Sequence, residues 1–104
     1  MTRVMAIFLL GLCSWPTFAV TATDLQREWE KATYQLQGDA QLRKFESLVA
    51  MSEFSLYAKP QDPELLIWDG IIKSTFASKA KGLPGLALIK EARTSLETAM
   101  KIDH

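Results

Sequence analysis

Few residues in this chain have the types and spacing that catalysis or metal binding requires. One cysteine, Cys13, and one histidine, His104, are too few for the common Cys/His zinc sites. Asp24, Glu28 and Glu30 are close enough in sequence for acid–base chemistry, but their spacing is typical of a solvated helix face. The sequence contains no Ser/His/Asp grouping, phosphate-binding glycine loop or metal motif. We therefore expect a protein that is not an enzyme, with no catalytic residue, metal or cofactor.

The charge balance and the length narrow the class of protein. The 104 residues include 12 basic and 12 acidic side chains, and 48% of the residues are hydrophobic. Nucleic-acid binding through bulk electrostatics requires a basic surplus, so we expect no nucleic-acid partner. The length allows one small domain.

The N-terminal residues have the pattern of a secretory signal peptide. Arg3 supplies a positive start, Val4–Leu12 is an unbroken apolar run, and small residues follow. Cleavage points of the small-x-small type lie after Ala19 and after Ala22, and the second is favoured because it leaves Thr23 to begin a helix. We therefore expect a signal peptide over 1–22, a domain over 23–104, and a periplasmic or secreted protein.

The alternative for this segment is an uncleaved membrane anchor. A spanning helix needs about 20 apolar residues, and Val4–Val20 approaches that length only by including Ser14, Pro16 and Thr17. Cleavage is the favoured interpretation, and it leaves no integral membrane segment. It also removes Cys13, so disulfides cannot brace the mature domain.

Downstream of this segment the apolar periodicity is that of helices. Apolar residues recur every three or four positions, and no useful alternating strand pattern occurs. Thr23 and Gln26 predict a capping box at the first helix. The stretch Ser78–Gly85, rich in glycine and proline, predicts a loop before a last helix over Leu86–Ile102. The expected fold is all-α, with about four helices in antiparallel α-hairpins.

Two tryptophans and one helical segment supply the predicted core. Trp29 and Trp68 lie within apolar helical stripes, which favours core packing over a ligand-stacking platform. The segment that begins at Pro63, a residue suited to the first turn of a helix, is apolar over much of its circumference as far as Phe76. We expect this segment to be the most buried.

Residues 63–103 resemble a tetratricopeptide repeat (TPR). Pro63–Gly70 (PELLIWDG) is similar to the first helix of that repeat, whose eighth position is a small residue, usually glycine. Lys90–Asp103 is similar to the second helix, which has alanine at the helix contact, a bulky apolar residue four positions later, and alanine three positions after that. The matching helix-packing residues are Gly70, Ala92, Leu96 and Ala99.

The resemblance implies an α-hairpin solenoid that serves protein–protein contact and has no catalytic residues. In such a hairpin Gly70 and Ala92 would let two backbones approach closely, and Leu96 would fill the groove between them. Two positions depart from the family. Asp69 stands where a large apolar residue is usual, and Lys73 stands where an aromatic residue is usual.

The interval between Gly70 and Ala92 contains more residues than the same interval in the family, and the charged residues from Lys73 to Arg93 are mostly basic. A local basic face suits an acidic partner or a membrane surface, whereas the alternative is a solvated loop flanked by lysines. The candidate interaction surface consists of Lys73, Lys79, Lys81, Leu83, Lys90 and Arg93.

Secreted bacterial repeat proteins with a Trp-Asp/Glu-Gly-Ile-Ile phrase look similar to this chain, and the periplasmic T-components associated with TRAP transporters resemble it more distantly. We therefore expect an exported TPR-like scaffold with a protein partner or self-association. The alternative is an accessory or ligand-binding component of a periplasmic solute-uptake system, with a cavity lined by Trp68, Ile72 or Phe76. Because stacked repeats generally need about three units, either a longer product continues beyond His104 or the exposed end pairs with another chain.

Overall fold

The computed structural model describes residues 20–80 and 82–102, and this part of the chain is built from helices. The four helices are α1 (Ala22–Gln35), α2 (Gly38–Ala58), α3 (Pro63–Ala80) and α4 (Gly82–Ile102). The predicted all-α fold of about four helices is confirmed. The predicted signal peptide lies outside the described residues up to position 19, so the structure says nothing about that prediction.

The first helix begins at a capping box that differs from the predicted one. The Thr21 hydroxyl accepts a hydrogen bond from the Asp24 N–H at 3.2 Å, and the Asp24 carboxylate accepts one from the Thr21 N–H at 3.0 Å. The hydrogen bond from the Thr21 N–H to the carboxylate lowers the pKa of Asp24. The predicted pair, Thr23 and Gln26, is wrong because α1 already starts at Ala22 and both residues lie inside it.

The predicted loop at 78–85 is also wrong, because the chain reverses between α3 and α4 almost without a linker. Gly82 has a φ of +75°, a left-handed conformation that glycine adopts without steric cost. Pro84 then falls in the first turn of α4, where a missing N–H does no harm. The glycines and proline therefore mark a turn and a helix start. The residues that make the Gly70–Ala92 interval longer than the TPR interval lengthen α3 and α4.

The helix α3 packs against each of the other three helices, whereas α4 packs against α3 alone. Phe76 stacks on Phe45 with ring centroids 5.9 Å apart, and Trp68 lies 5.7 Å from Trp29. Trp29 also donates a hydrogen bond from Nε1 to the Thr75 hydroxyl at 3.0 Å, which ties α1 to α3. The main core consists of apolar residues from α1, α2 and α3: Leu25, Ala32, Phe45, Leu48, Leu65 and Ile72.

An ion pair joins α1 to α2. Lys44 Nζ lies 2.6 Å from Glu28 Oε1, and this hydrogen bond lowers the pKa of Glu28 below its ordinary value of 4.5. Because the folded-state pKa is the lower one, the stabilisation is present above the unfolded pKa and disappears as the pH falls through the folded pKa.

We expect Glu28→Gln to lower the free energy of unfolding by about 0.2–1 kcal/mol at pH 7. The difference from the parent protein should vanish in acid, because a protonated Glu28 no longer attracts Lys44. Urea denaturation at a series of pH values measures both effects. Glu30→Gln is the matched control, since Glu30 accepts a hydrogen bond from Gln26 of the same helix and does not bridge two helices within the described residues. A deficit that is independent of pH would contradict the assignment.

Candidate functional site

Six polar residues from α2, α3 and α4 meet around a charged pair of α3, and we call them the polar cluster. They come in pairs from the three helices, and every pair includes a charged residue. The members are Ser52 and Glu53 from α2, Asp69 and Lys73 from α3, and Glu91 and Ser95 from α4.

Asp69 is the centre of the polar cluster, and its side chain is 0% exposed. One carboxylate oxygen accepts a hydrogen bond from the Ser52 hydroxyl at 2.6 Å, and the other accepts one from the Ser95 hydroxyl at 2.6 Å. Both serines are buried as well. A single carboxylate therefore ties α2 and α4 to α3, and neither hydroxyl is turned toward solvent.

Lys73 is the sixth member of the polar cluster, and it is not on the surface where the sequence predicted it. Its side chain is 7% exposed, and Nζ lies 3.3 Å from Asp69, 3.1 Å from Glu53 and 3.1 Å from Glu91. Burial alone would lower the pKa of Lys73, but the Asp69 charge and the three carboxylate hydrogen bonds raise it overall. As a correction, Lys73 is a buried cation with three carboxylate partners, and it is not part of a solvent-facing patch.

The polar cluster contains both positions at which the sequence departs from the TPR pattern. Asp69 and Lys73 are four residues apart on α3, a spacing that places an acid and a base on the same helix face. Considered separately, each is a charged residue at a position where the TPR pattern has an apolar or aromatic one. Their spacing and opposite charge are the signal that could have predicted the pair, whereas the contributions of Ser52 and Ser95 depend on tertiary packing.

The four helix-packing residues lie along the contact between α3 and α4. A Cβ atom added at Gly70 would lie 2.6 Å from Leu96 Cγ, so the two helices approach closely at this point. Ala92 and Ala99 are buried on the same side of α4. Near the turn, a Cβ at Gly85 would lie 3.1 Å from the Ala77 carbonyl oxygen.

The α3–α4 hairpin has an apolar side that no described helix covers. On α4, positions 86, 89, 93, 96 and 100 follow one another at spacings of three or four residues and form a stripe on one face. The apolar residues of this stripe, Leu86, Ile89, Leu96 and Met100, together with Ile67 of α3 beside them, are called the outer flank. Met100 is 72% exposed. A groove of about 320 Å³ is lined by Ile67, Leu96, Ala99 and Met100.

The remaining residues of the predicted basic surface are divided among different environments. Lys90 and Arg93 are exposed on α4, and Arg93 lies within the same stripe as the outer flank. Lys79 is partly buried near the end of α3. Lys81 lies outside the described residues, and only the backbone of Leu83 is described. In place of a basic loop, the described residues present basic side chains beside an apolar flank.

The residues expected to line a ligand cavity lie in the core or pack against it. Ile72 is fully buried, and Trp68 and Phe76 pack on the core cluster. Among the residues that the structure describes, no group of three or more His, Cys, Asp or Glu side chains could hold a metal ion. Over the same ranges, no helix is both long enough and apolar enough to cross a membrane.

No family model, no curated protein and no solved structure matches this chain. The interpretation of the outer flank therefore depends on its own geometry.

Proposed function

We propose that this protein is an exported, TPR-like helical scaffold that mediates protein–protein contact and is not catalytic. The observation that supports this proposal is the outer flank, where large apolar side chains lie exposed along one side of the α3–α4 hairpin. Monomeric proteins rarely expose contiguous apolar patches larger than a few hundred Å², and larger patches commonly serve as contact sites.

The two sides of the α3–α4 hairpin differ in a way that supports the same proposal. On one side, Glu91 and Ser95 of α4 join the polar cluster and connect to α2. On the other side, Leu96 and Met100 face a groove. Because helices pack by inserting side-chain ridges into such grooves, the outer flank has the form of a site for another helix.

A photocrosslinking experiment tests the proposal. The residue p-benzoylphenylalanine is introduced at Met100 in the cells that produce the protein, and in a control at Tyr57, which is 89% exposed on α2. We expect a covalent protein adduct from position 100 and none from position 57. Failure to form any adduct at position 100 would exclude the outer flank as a protein-contact site.

The N-terminal contacts support an export step that differs from the favoured one. Val20 packs against the core cluster, and Thr21 caps α1. Cleavage after Ala19 retains both residues, whereas cleavage after Ala22 removes them, and loss of a threonine cap alone costs about 1 kcal/mol. The proposed mature protein therefore begins at Val20.

We expect mass spectrometry and N-terminal sequencing of the exported protein to give Val20 as its first residue. A chain that begins at Thr23 would contradict this assignment, because it lacks the cap of α1. An exported chain that still begins at Met1 would contradict cleavage at either position. Thr21→Ala is the matched folding control, and it should lower stability by about 1 kcal/mol without moving the cleavage site.

A further inference from the structure

Building on the proposed contact function of the outer flank, we propose that its partner is a second copy of the same chain. The two copies meet through antiparallel α4 helices related by a two-fold axis at the level of Ser95 along the helix, on the side of α4 that faces away from the polar cluster. A two-fold contact brings the same patch of both copies together, so the patch must be complementary to itself. The apolar residues of the outer flank and the charged residues beside them both meet this requirement.

The apolar residues are distributed toward both ends of the α4 stripe. Leu86 and Ile89 lie in its first half, and Leu96 and Met100 lie in its second half. Antiparallel pairing about an axis at the level of Ser95 brings Ile89 of each copy beside Met100 of the other and the two Leu96 residues near the axis, whereas Leu86 lies beyond Ile102 of the opposite helix and outside the contact. The groove formed by Ile67, Leu96, Ala99 and Met100 can then receive an apolar side chain of the opposite copy.

Two charged residues beside the apolar ones are self-complementary across the same two-fold axis. Arg93 and Glu97 are both exposed, lie one turn apart on α4, and form no ion pair within the described part of the chain. A base placed four residues before an acid is the less favourable order for pairing along one helix. With the axis at the level of Ser95, Arg93 of each copy faces Glu97 of the other, which gives two ion pairs.

The size of the contact sets the expected strength of association. From Ile89 to Met100 the contact extends about 17 Å along α4, at about 1.5 Å per residue. A helix contact of this length, widened by Ile67, lies at the small end of specific interfaces. We therefore expect a reversible dimer.

Charge exchange distinguishes a second copy from a foreign acidic helix. A foreign acidic helix would use the apolar residues and Arg93, whereas Glu97 would repel it. In the dimer, Arg93→Glu and Glu97→Arg each place like charges together twice, and the double variant restores both attractive pairs.

Sedimentation velocity of the purified protein and these variants over a range of concentrations tests the proposal. We expect each single variant to raise the dimer Kd by about tenfold or more and the double variant to return it to within about threefold of the parent value. Met100→Asp should abolish the dimer, and circular dichroism should show that all variants remain helical. A parent protein that is monomeric at every concentration would overturn the inference, as would a double variant as weak as the singles.

The mass of the crosslinked product at position 100 separates the two proposals. An adduct of twice the chain mass supports both. An adduct with a different protein overturns the inference about the second copy and leaves the contact function standing. The absence of any adduct overturns the contact function itself.

Discussion

Replacing Asp69 by alanine is expected to lower the free energy of unfolding by about 3–5 kcal/mol, the range for removing one partner from a buried ion pair. The substitution leaves the Ser52 and Ser95 hydroxyls without their acceptor and removes the buried member of the three carboxylates around Lys73. A domain of about 80 residues has a total stability of about 4–12 kcal/mol. Urea denaturation followed by the fluorescence of Trp29 and Trp68 measures the loss.

Two further variants separate the charge of Asp69 from its shape. Asp69→Asn keeps the shape, but it offers one acceptor oxygen and turns an amide toward a hydroxyl or toward Lys73, so we expect an intermediate loss. The double variant Asp69→Leu with Lys73→Tyr removes both charges and restores the apolar and aromatic types usual in the TPR pattern. We expect it to recover part of the stability lost in Asp69→Ala, because apolar replacement of a buried ion pair is often neutral or favourable. A loss below about 1 kcal/mol in Asp69→Ala would show that the polar cluster does not hold the helices together.

Substitution of Gly70 by alanine is expected to destabilise the protein by about 1–3 kcal/mol, the range for overpacking a filled contact. The added Cβ would lie 2.6 Å from Leu96 Cγ and 2.8 Å from Leu96 Cδ2, so the Leu96 side chain or one of the helices must move. Helix propensity alone predicts the opposite sign, since alanine is favoured over glycine by about 1 kcal/mol inside a helix. The sign of the change, measured by urea or thermal denaturation, therefore decides between the two effects.

A double-mutant cycle identifies the cause of that change. Leu96→Ala removes the atoms that the new Cβ would meet, so Gly70→Ala should be less harmful, or stabilising, in that background. Equal effects of Gly70→Ala in both backgrounds would contradict a clash with Leu96. A stabilising Gly70→Ala in the parent protein would show that α3 and α4 do not approach closely at this point.

The parts of the fold that follow from local periodicity could be predicted from the sequence. Apolar spacing predicted the helices, and Pro63 correctly indicated the start of α3. The errors occurred where one signal has two meanings. Glycine and proline at 82–85 mark either a loop or a turn that leads directly into a helix, and the choice depends on how α3 and α4 pack.

The candidate site was harder to predict than the helices. Lys73 was expected at the surface because charged residues are usually solvated, and its burial depends on carboxylates contributed by three helices. The apolar residues Leu86 and Met100 have the same type as core residues, and only the tertiary arrangement leaves them exposed. Sequence periodicity identifies a helix face, but it does not say which neighbour covers it.

The attachment of α4 has a consequence for how the molecule opens. This helix packs on α3 alone. The Asp69 carboxylate of α3 also links it to α2, because it accepts hydrogen bonds from Ser95 of α4 and Ser52 of α2. Local opening free energies are lowest where the fewest buried contacts hold an element. The contact between α3 and α4 is the most extensive in the described part of the fold, so α4 detaches only by losing that whole contact together with its links to Asp69 and Lys73. A partner bound at the outer flank stabilises the folded state by mass action, and its concentration sets how much rarer that opening becomes.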